Sequence, residues 1–247
     1  AIAEEYSDEG AGSLAVATTH TQARHALPAA VSRFRNDFPA VSLHFHQGTP
    51  VQIAEMATSG DVDFAIATEA LELYEELAIL PCYRWNRSII VPEGHPLCGR
   101  TPLTLEAIAE YPIVTYVFGF TGRSRLDEAF AERGLAPDVV FTATDSEVIK
   151  TYVQLGLGVG IMASMAFDAR RDEGLVALDA DHLFEPSTTR IGFRRNAYLR
   201  RYMLAFIETF APHLTEDVVA EGIRARTPEQ RKALEDRLAP MLGRTNA

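Results

Sequence analysis

Leu14-Ala-Val-Ala-Thr-Thr19-His20-Thr21-Gln22, followed by Ala23-Arg-His-Ala-Leu27-Pro28-Ala-Ala-Val31-Ser-Arg-Phe34, sets the reading of the whole chain. An apolar run of strand character ends in hydroxyl and amide groups. Apolar residues then recur at Ala23, Ala26, Leu27, Ala30, Val31 and Phe34, which is helical spacing. The polar burst therefore stands where a strand hands over to a helix N-terminus. There the first backbone N–H groups lack partners and the helix dipole favours negative charge. Thr19, Thr21 and Gln22 add neutral donors, so the stretch predicts a cradle for a small anion.

Outward from it the pattern repeats. Asp37-Phe38-Pro39 stops the helix, and Val41-Ser-Leu43-His-Phe45-His-Gln47 alternates as a half-buried strand does. His44 and His46 fall on its polar face with no third metal ligand in sight. Val51 to Ala57 is a short amphipathic helix ended by Ser59-Gly60. Asp61-Val-Asp63-Phe-Ala-Ile-Ala67-Thr68-Glu69 is a third strand with a polar end. This β-α-β-α-β order with short connections predicts a parallel sheet covered by helices. Ligands of such sheets lie beyond the strands' carboxyl ends, where both Thr19 and Thr68 are expected.

A second α/β series follows. Pro112 to Tyr116 is a strand, and the loop Gly119-Phe120-Thr121-Gly122-Arg123-Ser124 precedes a helix carrying Leu126, Ala129 and Phe130. Val139 to Thr144 is another strand, and Asp145-Ser146 caps the helix Glu147 to Leu155. Gly156-Leu-Gly158-Val-Gly160 leads into a buried strand; its glycines are spaced wrongly for a dinucleotide loop. Arg170 to Gly174 reads as a solvated loop, Thr188 to Arg195 as a late strand, and Leu199 to Phe210 as a helix. The expectation is an α/β protein of two Rossmann-like lobes joined by two crossover strands. Lobe I takes residues 12–83 and 188–214, and lobe II takes 84–187. Residues 215–247 form a helical tail outside the main core, with a capping box at Thr227-Pro228-Glu229-Gln230. Such lobes can enclose a ligand and close on it.

Composition narrows the function. The chain has 247 residues, 34 acidic against 23 basic, and a net charge of −11, so its surface repels nucleic acid. No apolar run is long enough to span a bilayer, no signal peptide opens the chain, and no membrane partner is expected. Cys82 and Cys98 show neither metal nor disulfide spacing, which fits reduced thiols and a cytoplasmic protein. No nucleophile elbow, P-loop or zincin motif is present, no general base stands with the threonines, and no cofactor is called for. Binding suits these residues better than turnover.

The expected ligand residues are Thr19, Thr21, Gln22, Thr68, Trp85 and Thr121. Taken singly, each threonine is an ordinary N-cap or strand end; their concentration at one sheet edge singles them out. Trp85 either walls the cleft or packs at the hinge. His20, Glu69, Tyr83, Arg123 and Thr144 are secondary candidates, Arg123 either assisting an anion or facing solvent, and Thr142 is weighed beside Thr144.

Leu27-Pro28, Phe34, Phe38-Pro39-Ala-Val41-Ser-Leu43, Gly60-Asp61-Val-Asp63-Phe-Ala-Ile66 and Gly156-Leu-Gly158-Val-Gly160 resemble the effector domain of LysR-type transcriptional regulators. Thr18 to Arg24, Asp63 to Ala70, Leu80 to Ser88, Val114 to Ser124, Thr142 to Asp145, Val148 to Tyr152 and Ile191 to Arg195 are similar to that family's regulators of cysteine biosynthesis and sulfate assimilation. The resemblance implies a type 2 periplasmic-binding-protein-like fold, with residues 1–11 ending a linker helix. It implies a cytoplasmic activator whose missing N-terminal winged helix-turn-helix binds promoter DNA and which works with RNA polymerase. This domain would pair as a homodimer within a full-length homotetramer. The implied effectors are N-acetylserine or O-acetylserine, with sulfate in the same inter-lobe cleft and thiosulfate or sulfide opposing induction. Carried over, Thr19, Thr21, Gln22, Thr68 and Thr121 would hold the anion, and Trp85 would line the pocket. A two-lobed solute-binding protein for transport is the competing reading.

Overall fold

The computed structural model describes residues 10–120 and 122–243. Most of the stretch expected to end a linker helix therefore lies outside the described residues, and so does Thr121. In chain order the elements are β1 (Gly12–Thr18), α1 (Leu27–Asp37), β2 (Val41–Gln47), α2 (Pro50–Ser59), β3 (Phe64–Ala67), β4 (Leu77–Trp85) and β5 (Arg87–Pro92). There follow α3 (Leu105–Ala109), β6 (Ile113–Tyr116), α4 (Arg123–Glu132), β7 (Val139–Ala143), α5 (Ser146–Gln154), β8 (Val159–Ala163) and β9 (Leu175–Asp179). β10 (Ser187–Arg194), α6 (Arg201–Phe210), α7 (Glu216–Arg224) and α8 (Pro228–Leu238) complete the chain. The fold is α/β with two five-stranded mixed sheets, ordered β2-β1-β3-β10-β4 and β7-β6-β8-β5-β9. Two compact units result, one holding the chain up to Tyr83 and again from Thr188, the other Arg84 to Ser187.

In the first unit β1 runs parallel to β2 and β3, and β10 returns antiparallel to β3. Leu14, Val16, Phe64 and Ile66 are fully buried in this sheet. Phe34 of α1 meets Phe206 of α6 edge-on at 5.4 Å, and Phe64 stacks on Phe206 at 6.0 Å, so two helices share one aromatic core with the sheet. α2 is bounded as its sequence dictates: Thr49 and Gln52 form a capping box, and Gly60 ends it at φ 88°. The edge strand β2 departs from simple alternation. Phe45, expected to face inward, is 37% exposed because β2 has a neighbour on one side only and few residues pack over its far end.

The tail, expected to lie outside the core, is seated on β4. A Cβ at Gly222 of α7 would stand 2.7 Å from Leu80 Cδ2, so the missing side chain is what lets helix and strand meet. Arg195 donates to the Gly222 and Ile223 carbonyls near the α7 C-terminus, both at 3.0 Å, where the helix dipole welcomes a cation. Arg190 reaches Glu235 of α8 at 2.6 Å.

In the second unit β6 runs parallel to β7 and β8, while β5 is antiparallel to β8 and β9. Consecutive residues of β5 serve opposite faces: Ile89 packs with Leu126, Phe130 and Ile161, and Ile90 with Val114, Ile149 and Met162. The glycines after α5 are structural. Gly156 ends the helix turn at φ 79°, and a Cβ at Gly158 would lie 2.2 Å from the Pro112 carbonyl oxygen. One at Gly160 would lie 2.9 Å from Val153 Cγ2. The stretch Arg170 to Gly174 is not wholly solvated. Asp172 is buried and pairs at 2.8 Å with the buried Lys150, which also donates to the Ala166 carbonyl at 3.0 Å. A buried lysine on α5 is costly unless paired, and with Glu147 at 2.7 Å on its own helix the loop's inward-turned Asp172 supplies a second carboxylate.

Candidate functional site

Three strands of the first unit end at one edge. Register sets Thr18 beside Ile66 in the parallel pair and Arg190 opposite Ala67 in the antiparallel one. The next residues out, Thr19, Thr68 and Thr189, therefore gather there. Thr18 itself is spent on structure, its hydroxyl donating to the Ile66 carbonyl at 2.9 Å.

Helical conformation begins at His20, earlier than the apolar spacing predicts, and continues to Asp37. Ala23 N–H to Thr19 O, at 3.0 Å, is the first-turn bond, so the N–H groups just before it point past the sheet edge. Gln22–Ala26 is a π-helical turn closed by Leu27 N–H to the Gln22 carbonyl. One extra residue is thus accommodated where the strand hands over, a feature common at functional sites.

Thr19 is 5% exposed, and Thr21 and Gln22 are each 1% exposed. The Thr21 hydroxyl has no hydrogen-bond partner among the described residues, a costly state for a buried polar group. Gln22 is anchored at both ends of its amide. Its Oε1 accepts from the Tyr83 phenol, and its Nε2 donates to Thr189 Oγ1 at 3.1 Å. Thr68 Oγ1 stands 3.5 Å from the same Thr189 hydroxyl. Burial pushes the Tyr83 phenol and the neighbouring Cys82 thiol well above their ordinary ionisation range, so both stay neutral. The arrangement offers neutral donors and a helix start, which is chemistry for holding an oxyanion.

The structure thus brings Thr19, Thr21, Gln22, Thr68 and Tyr83 to one edge of the first unit, with Thr189 as the hub that the sequence reading did not select. A polar pair, Thr188-Thr189, at the start of an otherwise buried strand was the available signal. His20 and Glu69, beside them in sequence, are partly exposed.

The remaining expected residues that are described, Trp85, Arg123 and Thr144, lie in the second unit. Trp85 is 2% exposed, and its indole N–H has no partner among the described residues. The Arg87 guanidinium lies 5.2 Å over its ring and 5.7 Å from the Phe184 ring. Arg87 donates to the Gly122 carbonyl at 2.5 Å and to Ser187 Oγ at 3.1 Å. Gly122 has φ 70°, and a Cβ there would fall 2.1 Å from the guanidinium, so the loop can close on Arg87 only with glycine. Arg123 neither floats in solvent nor stands open: it binds Asp127 at 2.8 Å and the Tyr116 carbonyl at 2.8 Å. Thr142 and Thr144 are exposed. Among the described residues no cluster of side chains could hold a metal ion, and no helix is long and apolar enough to cross a membrane.

Comparison with known proteins points one way. Residues 7–215 match the LysR substrate binding domain family. The chain is 55% identical over 223 residues to the HTH-type transcriptional regulator SsuR of Burkholderia cenocepacia, covering 90% of this chain and 72% of that protein. It is 53% identical over 234 residues to the HTH-type transcriptional regulator CysB of Haemophilus influenzae, covering 95% of this chain and 72% of that protein. The crystal structure of the cofactor-binding domain of the Cbl transcriptional regulator superposes with a TM-score of 0.83 at 45% identity. That match covers 86% of this chain and 94% of that one.

Proposed function

Because this chain is the effector-binding domain of a LysR-type transcriptional regulator, in the sulfur-regulator group of CysB, SsuR and Cbl, we propose that Thr19, Thr21, Gln22 and Thr68 hold the anionic group of its effector. A transcription regulator of this kind is not an enzyme and acts in the cytoplasm, so the transport reading falls away.

The observation that carries the proposal is the buried Thr21 hydroxyl, which has no bonding partner among the described residues and stands at a helix start beside the anchored Gln22 amide. A sulfate, or the carboxylate of N-acetylserine or O-acetylserine, supplies the missing acceptor and meets the helix dipole. Thiosulfate has the same kind of oxygens and would compete. The resemblance also assigns Trp85 and Thr121 to ligand contact, and that assignment is part of the proposal. Control of cysteine biosynthesis and sulfate assimilation, promoter binding through a winged helix-turn-helix, contact with RNA polymerase, and a homodimer within a homotetramer complete it. Occupancy acts on transcription only through differential affinity for two arrangements of the protein.

Titration of the chain with N-acetylserine, O-acetylserine and sulfate, followed by the fluorescence of its single tryptophan and by calorimetry, tests the ligand class. Saturable binding of an acetylserine that sulfate displaces supports the reading. Sulfate binding alone keeps the anion site and removes the acetylserines. Binding of none of the three refutes the ligand assignment.

A further inference from the structure

Gln22 carries opposite chemistry on the two ends of one amide. An N–H turned toward the cradle holds an anion, whereas a carbonyl oxygen repels it. The residue type alone does not decide between them; its partners do. The Tyr83 phenol donates to Oε1, and Nε2 donates to Thr189 Oγ1 at 3.1 Å. A buried phenol needs an acceptor for its proton, and Tyr83 is 8% exposed with its ring held edge-on by Phe210 at 5.8 Å. Its ionisation is pushed up by burial, so it remains a donor throughout the physiological range.

The Thr189 hydroxyl, which accepts from Gln22, also stands 3.5 Å from Thr68 Oγ1, where either hydroxyl can be the donor, and it hydrogen-bonds Tyr83 as well. Tyr83, Gln22, Thr189 and Thr68 therefore form one connected chain, in which Tyr83 donates to Gln22 and Gln22 to Thr189. Chains of this kind polarise and strengthen each member.

We propose that Tyr83 and Thr189 are positioning residues that give this site its preference for anions, by fixing the Gln22 amide nitrogen, rather than its oxygen, on the side of the Thr68 and Thr189 hydroxyls. The inference rests on the reading of Thr19 to Gln22 as the anion cradle. Neither residue needs to touch the ligand. Tyr83 secures the oxygen end and Thr189 receives the nitrogen end. Without Tyr83 the amide is free to turn over and present its oxygen.

Calorimetric titration with inorganic sulfate tests this, using the purified chain and the variants Tyr83→Phe, Thr189→Val, Thr189→Ser, Gln22→Ala, Thr21→Val and the double variant Gln22→Ala/Tyr83→Phe. Thermal midpoints confirm that each is folded. Tyr83→Phe keeps the ring and removes the proton, and weakens sulfate about tenfold, the scale of one hydrogen bond to a charged group. Thr189→Val does the same, and Thr189→Ser restores most of the affinity because the hydroxyl returns. In the Gln22→Ala background Tyr83→Phe has no further effect, since it acts through the amide. If Gln22→Ala weakens sulfate while Tyr83→Phe binds like the parent, the cradle stands and the positioning role is overturned. Additive losses in the double variant overturn it as well. If Thr21→Val and Gln22→Ala both bind sulfate as the parent does, or the parent binds none, the cradle itself fails and the inference falls with it.

Discussion

Thr21 places a buried hydroxyl where none of the described residues receives it, among residues that otherwise satisfy one another. An unpaired buried polar group costs about 1–3 kcal/mol, and a binding site is where a fold tolerates that cost. Thr21→Val keeps the shape and removes the unpaired group. The ligand-free variant is expected to melt higher than the parent by scanning calorimetry while its sulfate affinity falls about tenfold or more. An equal or lower melting point would mean that the hydroxyl is satisfied in the folded protein. Cys82 and Tyr83 make a second prediction. Both are held neutral by burial, with folded ionisation raised above the unfolded values of about 8.5 and about 10. The unfolded chain releases these protons first as pH rises, so the stabilisation is complete below about pH 8.5 and is lost progressively above it. The urea midpoint should fall between pH 8 and pH 10.5; a flat or rising midpoint would contradict the burial of these groups.

At the level of elements, the glycines of Gly156-Leu-Gly158-Val-Gly160 act by what they leave out. Gly158→Ala drives a methyl into the Pro112 carbonyl at the junction of β6 and β8. Because backbone cannot step aside as a side-chain tip does, the expected loss is about 1–3 kcal/mol of unfolding free energy in urea titration. Unchanged stability would show that β8 can shift away from β6. The same stretch shows what a sequence discloses. Its spacing excluded a dinucleotide loop, but the close approach to Pro112 is a contact across 46 positions of chain that periodicity does not encode. The β-α-β-α-β order, the capping box before α8 and the strand-to-helix joint at Thr19 were legible because each is local chemistry. Thr189 was not, since it joins Thr68 only through the antiparallel return of β10. Asp172 escaped for a similar reason: a charged run reads as solvated unless the buried Lys150 that needs it is known. The π-helical turn at Gln22–Ala26 likewise left no mark on the apolar spacing.

For the molecule as a whole, the net charge of −11 disfavours contact with nucleic acid, and the chain spans 72% of the length of the SsuR and CysB regulators that it matches. The chain leaves its first unit after Tyr83 and re-enters it at Thr188. Tyr83 and Thr189, the two partners of Gln22, thus sit at the ends of the two connecting passages. The most direct test of the account is a crystal of this chain grown with selenate, a heavier stand-in for sulfate, located by its anomalous scattering. The account predicts a peak at the helix start of Thr19 to Gln22, with an oxyanion oxygen within hydrogen-bond reach of Thr21 Oγ1. A peak elsewhere, with the Thr21 hydroxyl bonded inside the protein, would contradict it.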